Sequence, residues 1–396
     1  VGGSKFAEGY GHLSVWANAP GPRTFGKRGT AAGTVPVMNE TPFFDFPPSP
    51  KPRWQQQAVR ELKGLDLTAL TLATPDGLTL EPYYAAEDLE GIPVAAIGAT
   101  QKSVPGWENR VSIAETEERI ANERAREALA SGADGVTFSI EKPDADLARL
   151  LNGLKLSDTP ASFRLGTGVE PLRFLETLRR VTGYPPKGSL LAAEVPVAEV
   201  LRLMVDAPAF RPLPISEPDG NPVPEALAAV LRQTVGYLDA TTEAGFPPEA
   251  VFSKLEFSLS TSSDYFLNLA KVRALRFLLA QVQRGYPIAK PVPVFIHATV
   301  SETGTPERSP EAEDLVRATL QALAVLAAGC DAVTVEARPL ASVGTSARLS
   351  RNLPLILKEE AYLAAVADPA AGSYFLETLT WSLARAAWAL FLENTR

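Results

Sequence analysis

The chain has 396 residues, of which 45% are hydrophobic and 21% charged, with a formal net charge of −8. That length suits one large barrel or two medium domains, and the acidic balance argues against a general binder of nucleic acid or anionic membrane. A single cysteine, Cys330, excludes an internal disulfide, and two histidines, His12 and His297, are too few for a His/Cys metal site.

Residues 1–40 are rich in glycine, proline and polar side chains without periodicity, and read as an extended arm. They lack the apolar core of a secretion signal. No apolar run reaches the roughly 18 residues of a membrane span, so the cytoplasm is the expected compartment. Residues 41–90 form a second segment expected to pack on the main domain. Within it Trp54, Ala58 and Leu62 have helical spacing, ending at Gly64, and Thr74-Pro-Asp-Gly77 marks a hairpin turn between Leu65–Leu72 and Leu78–Tyr84.

From residue 91 to residue 396 short runs of small and β-branched residues alternate with long amphipathic segments. The candidate strands are Val94–Gly98, Gly135–Ile140, Ala161–Gly166, Pro212–Ser216, Phe252–Ser260, Val292–Ala298, Ala332–Ala337 and a short one near Leu363–Ala367. Helical patterns lie between them at Ala114–Ser131, Glu170–Val181, Val223–Ala244, Phe266–Gln283 and Glu313–Ala328, and Thr378–Phe391 is a strongly apolar last helix. Eight such units predict a (β/α)8 TIM barrel with an extended N-terminal arm. No G-x-G-x-x-G turn follows a strand, which weighs against dinucleotide binding.

Barrel enzymes carry their chemistry at the C-terminal ends of the strands. His297 falls near such an end, with Glu302 close to it in sequence, although a lone histidine there is more often structural. Glu217 and Asp219 in Ser216-Glu-Pro-Asp-Gly-Asn221 read first as a capped turn and second as an acid/base pair. Lys271, Arg273 and Arg276 share one helix and read as a solvated or salt-bridged face. Cys330 reads as a small core residue. Taken alone, these residues leave the activity undetermined.

Longer motifs add a resemblance. His297-Ala-Thr-Val-Ser301, Ser346-Ala-Arg-Leu-Ser-Arg-Asn352, Leu355-Ile-Leu-Lys-Glu-Glu360, Asp368-Pro-Ala-Ala-Gly-Ser-Tyr374 and Glu377-Thr-Leu-Thr380 follow one another. Upstream stand Tyr265-Phe-Leu-Asn-Leu-Ala-Lys-Val-Arg-Ala-Leu-Arg276, Trp54, Leu62-Lys-Gly64 and the Pro82–Asp88 segment. This succession resembles the methylmalonyl-CoA mutase family, with "ARxxRNxxLIL-EE" and "DPAGGSYYxExLT" stretches, and its opening resembles the small subunit. The family's catalytic chain has a tyrosine-bearing loop after the first strand, and a Tyr-His pair after the fourth. The matching stretches here, Gly98–Trp107 and Ile215–Gly220, contain neither, and no Asp-x-His-x-x-Gly cobalamin motif occurs.

The resemblance therefore implies a small subunit that is inactive by itself and stabilises a large catalytic subunit in a heterodimer, with adenosylcobalamin held by that partner. The complex would interconvert methylmalonyl-CoA and succinyl-CoA in propionate metabolism. It further implies weak acyl-CoA-binding roles for Lys254, Lys290 and His297, and no catalytic, cofactor or metal residue in this chain. Two alternatives stay open: the substrate-binding barrel of a split acyl-CoA mutase whose cobalamin domain is a separate chain, and a diverged homodimeric scaffold.

Overall fold

A computed structural model describes residues 50–74, 76–301, 311–336 and 343–393, so the arm expected at 1–40 lies outside the described residues. The first element is a surface helix, Lys51–Glu61 (α1), with Trp54 stacked on Tyr83 at 5.0 Å. The expected hairpin is present but short: Leu72–Ala73 (β1) pairs antiparallel with Thr79–Leu80 (β2). Thr74 closes its turn by accepting from the Leu78 amide through its hydroxyl at 3.1 Å.

The other strands are Glu108–Ile113 (β3), Gly135–Ile140 (β4), Ala161–Leu165 (β5), Gly188–Leu191 (β6), Phe210–Arg211 (β7), Leu213–Ser216 (β8), Leu255–Ser260 (β9), Ile296–Val300 (β10) and Ala332–Val335 (β11). They form one all-parallel sheet in the order β7-β6-β5-β4-β3-β11-β10-β9-β8. Strands β7 and β8 are halves of one strand broken at Pro212, whose nitrogen has no hydrogen to donate to a ladder. The first half pairs with β6 and the second with β9, so the ring closes. Eight strand positions around a closed ring make a (β/α)8 barrel, as the rhythm of the sequence predicts.

The helices after α1 are Val94–Thr100 (α2), Glu118–Ala130 (α3), Leu147–Leu150 (α4), Pro171–Thr182 (α5), Val197–Leu203 (α6), Val223–Glu243 (α7), Pro248–Phe252 (α8), Tyr265–Arg284 (α9), Glu311–Ala327 (α10), Val343–Glu359 (α11) and Tyr374–Glu393 (α12). Helix α5 shows how local sequence sets them. Glu170 accepts from the free Leu172 and Arg173 amides, and Pro171 fits the first turn. Gly183 then ends the helix at φ +69°, a left-handed conformation that glycine adopts without strain. Its apolar stripe, Phe174, Leu175 and Leu178, is buried against the outward-facing side chains of the sheet, with Phe163 and Phe174 rings 5.1 Å apart. Fully burying each such side chain contributes about 1.5–3 kcal/mol.

Two expected strands are not strands. Val94–Gly98 lies in helix α2, and Leu363–Ala365 is a short 3-10 turn. A five-residue apolar run does not distinguish strand from helix by its period. The positions are filled instead by β3 and β6, so Leu213–Ser216 belongs to the fifth strand around the ring rather than the fourth. Strand β10 starts at Ile296, later than expected, because Val292 exchanges two hydrogen bonds with the Gln283 side chain instead of joining the ladder.

Helix α9 is buried along most of its length, covered by α7 and α12. Lys271, Arg273 and Arg276 are therefore interior cations rather than a solvated face, and each is paired. Lys271 meets Glu217 at 2.9 Å, Arg276 meets Asp331 at 2.6 Å, and Arg273 meets Glu377 at 2.7 Å as well as Asp368. The last two carboxylates come from the Asp368–Thr380 motif, so Arg273 ties the C-terminal helix to the barrel wall. None of the described helices is long and apolar enough to cross a membrane.

Candidate functional site

In a barrel, alternate residues of each strand face the lumen. The register places Arg110 (β3), Ser162 (β5), Ser189 (β6), Glu256 (β9), His297 (β10) and Thr334 (β11) on that inner face. These side chains form one network. Arg110 donates to Glu256 Oε1 at 2.8 Å and approaches Ser189 Oγ at 3.5 Å, while Ser162 and Ser189 hydroxyls meet at 2.7 Å. Strands β3, β6 and β9 are not neighbours in the ring, so the Arg110 side chain crosses the lumen. It is 1% exposed and Glu256 is fully buried.

His297 Nε2 lies 2.9 Å from Thr334 Oγ1, and its Nδ1 lies 3.4 Å from Glu256 Oε1, a distance of electrostatic contact rather than a full hydrogen bond. Burial, opposed by Glu256 and assisted by the charge of Arg110, holds the imidazole below its ordinary pKa, so it is neutral at physiological pH. Burial alone would raise the Glu256 carboxyl, but Arg110 and His297 outweigh it and keep the group ionised far into acid. At the N-terminal end of the lumen, Arg211 stacks on Phe295 with its guanidinium carbon 3.7 Å from the ring centroid, and Arg110 approaches the same ring at 5.1 Å.

A measurable pH dependence follows. The native state holds His297 neutral below the unfolded-state value of 6.5, so it binds fewer protons than the unfolded chain there. Stability is expected to fall as pH drops below about 6.5, with a slope of at most about 1.4 kcal/mol per pH unit from this one group. Urea unfolding at several pH values should show that slope in the native protein and lose it in His297→Gln. An unchanged slope in the variant would show that His297 does not supply it.

The structure does not bring the three residues expected to bind acyl-CoA together. His297 is in the lumen. Lys254, just ahead of β9, donates its ammonium to the Met204 carbonyl at 3.0 Å and to the Ala207 carbonyl. Burial pulls its pKa down to about 8. Lys290 is exposed on the segment leading to β10.

Glu217 is committed to Lys271, which also donates to the Ser260 carbonyl at 2.5 Å, and Asp219 is exposed. Glu302 lies outside the described residues. Cys330 is buried, and burial pushes its thiol up to about 12. The Gly98–Trp107 stretch precedes β3 and so lies at the N-terminal end of the strands. There Lys102 donates to the Gly106 carbonyl at 2.6 Å and pairs with Asp331 at 3.3 Å.

At the C-terminal end of the strands a cavity of about 330 Å³ opens between β5, β6 and β8, lined by Arg164, Leu191, Pro214, Ser216 and Gln233 among others. Sequence reasoning missed Arg110, Glu256 as a lumen residue, Thr334 and Arg164. The available signal was alternation: Glu256, Ser258 and Ser260 on β9 are polar at every second position, which marks an inner face that is not apolar.

Comparison with known proteins adds the following. Residues 208–395 match the family described as methylmalonyl-CoA mutase. The methylmalonyl-CoA mutase small subunit of Porphyromonas gingivalis is 28% identical over 89% of this chain and 63% of its own length. That of Streptomyces virginiae is 30% identical over 89% of this chain and 64% of its own length. The methylmalonyl-CoA mutase of Cereibacter sphaeroides is 26% identical over 86% of this chain and 57% of its own length. The chain thus spans somewhat under two thirds of the relatives that it matches.

Proposed function

We propose, from the premise that the chain belongs to the methylmalonyl-CoA mutase family, that it is the small, non-catalytic subunit of an adenosylcobalamin-dependent methylmalonyl-CoA mutase. In this reading it stabilises a larger catalytic subunit in a cytoplasmic heterodimer that interconverts methylmalonyl-CoA and succinyl-CoA. The observation that carries it is the Arg110–Glu256 bridge, which fills the barrel axis with a buried ion pair. A ligand threading the lumen would have to break that pair, and uncovering one buried charge costs about 3–5 kcal/mol.

The side chains at the mouth agree with this reading. The turn after β8 offers Glu217, locked to Lys271, where the catalytic relatives are expected to present tyrosine and histidine. The described residues do not fit adenosylcobalamin either. The one histidine among them, His297, is 2% exposed inside the barrel with Nε2 engaged by Thr334, so it is not placed to ligate a cobalt ion. No step of the isomerisation is assigned to this chain. Its role is the stability of the complex.

Purification of the native complex tests the proposal. A larger chain should co-purify and account for all cobalamin-dependent methylmalonyl-CoA isomerisation, with this chain inert when isolated. Turnover by this chain with only a small cobalamin-binding protein would overturn the proposal in favour of a split mutase. A stable homodimer with no larger partner would favour a scaffold.

A further inference from the structure

A row of aromatic rings runs along the outer, helical layer of the barrel. Tyr84 packs on Phe375 at 5.1 Å, Phe375 on Phe266 at 5.0 Å, and Phe266 on Tyr265 at 5.2 Å. The rings come from three places: the segment before α2, the first turn of α12 and the first turn of α9. Phe266 is 46% exposed, and Tyr374, next to Phe375 in α12, is 43% exposed. Among the described residues Phe266 is the one exposed phenylalanine. Single surface aromatics are ordinary, whereas a continuous row of them marks a contact site.

The described residues begin at one end of this row. Pro50 has φ −65° and ψ 152°, the polyproline conformation, and leads directly into α1. Lys51 anchors that entry: its ammonium meets Asp88 at 2.5 Å and lies 5.8 Å from the centre of the Tyr84 ring. The preceding sequence is Thr41-Pro-Phe-Phe-Asp-Phe-Pro-Pro-Ser49. Its prolines favour the same extended backbone, which advances about 3.1 Å per residue with three residues per turn. Phe43 and Phe46 then share one face, about 22 and 12 Å from Pro50, which is enough chain to follow the row. Aromatic-lined surfaces suit proline-rich strands of this kind, because such strands have little conformational entropy to lose on docking.

We propose that residues Phe43–Pro48 of the same chain dock on this row, with Phe43 and Phe46 against Phe266, Phe375 and Tyr374. A tether of a few residues gives the segment an effective concentration in the millimolar range, which favours it over an occupant from another molecule. The contact is made within one chain, so it stands independently of the accessory-subunit reading. It also moves the point at which residues 1–40 leave the barrel from α1 to the edge formed by α9 and α12, and so decides which neighbouring surface they can reach.

Chymotrypsin digestion of the full chain, followed by mass spectrometry, tests it. The protease cuts after Phe43 and Phe44 but not at the Phe46–Pro47 bond, and cleavage after Phe25 in the same chain is the reference. In the native protein the cuts at Phe43 and Phe44 should be slow compared with the cut at Phe25. Phe266→Asp and Tyr374→Asp should each speed them about tenfold or more, because the docked segment then opens more readily. Both positions lie in the first turn of a helix, where an aspartate is favourable. The cut at Phe25 should therefore keep its rate, and the thermal midpoint should move by only a few degrees. Phe266→Tyr should digest like the native protein. Equal rates at Phe44 and Phe25 in the native protein, or no acceleration in either aspartate variant, would overturn the proposal. Protection that grows with protein concentration would assign the row to a second copy, and protection seen only with a larger subunit bound would assign it to that partner. Either result also overturns it.

Discussion

Replacing Arg273 with alanine is expected to lower the unfolding free energy by about 3–5 kcal/mol, a large part of the stability of an ordinary domain. Arg273 is fully buried on α9, Glu377 is 1% exposed, and Asp368 is partly covered. Its removal leaves a fully buried carboxylate facing an apolar interface with no cation. Glu377 Oε1 also accepts from the Gly372 amide at 3.1 Å, so the loss reaches the turn that leads into α12. Chemical denaturation should show the drop, and limited proteolysis should show first cleavage between α11 and α12. Arg273→Lys should recover only part of the loss, because one ammonium cannot serve two carboxylates with a planar fork. A change under about 1 kcal/mol for the alanine variant would mean that apolar contacts with α7 and α9 suffice to hold α12 in place.

This contact also shows what kind of information the motifs carried. The Tyr265–Arg276 and Asp368–Thr380 stretches were legible as family signatures, but their physical content was not. The pattern left Lys271, Arg273 and Arg276 as a solvated or salt-bridged face; the salt bridges are present, but they are interior, where charged residues are seldom found unless paired. The partners lie 54 to 104 positions away in sequence, beyond the reach of any local pattern. The barrel itself was legible because its outward-facing strand residues, such as Phe138, Phe163 and Phe257, form apolar runs between amphipathic helices. Strand β3 was not, because Glu108, Asn109 and Arg110 look like loop residues until closure of the ring gives them polar company. The same closure hid the candidate site. Arg110 and Glu256 are 146 positions apart and meet only across the lumen.

The second large effect concerns that lumen. Arg110→Gln is expected to destabilise the native state by about 3–5 kcal/mol at pH 8, because Glu256 is then an ionised group with 0% exposure that has lost its bonded cation and keeps only the more distant charge of Arg211. It should also reverse the sign of the pH dependence. In the native protein Arg110 helps burial to keep His297 neutral, so stability falls below about pH 6.5. Without Arg110, the imidazole is the nearest group able to neutralise Glu256, only 3.4 Å away, and its folded-state pKa should rise above the unfolded value. A group raised in this way contributes stability that is fully present below the unfolded pKa and is lost as pH rises through the folded one. The variant should therefore gain stability as pH falls from 8 towards 6, while the native protein does not. The pair Arg110→Leu with Glu256→Leu supplies the control: removing both charges together should be close to neutral or stabilising, because neither is left buried alone. Urea unfolding of the three proteins between pH 5.5 and 8 separates these outcomes. If Arg110→Gln follows the native pH profile, the lumen is wet enough to solvate Glu256 by itself. The bridge would then not seal the barrel axis, and the accessory-subunit reading would lose the observation on which it rests.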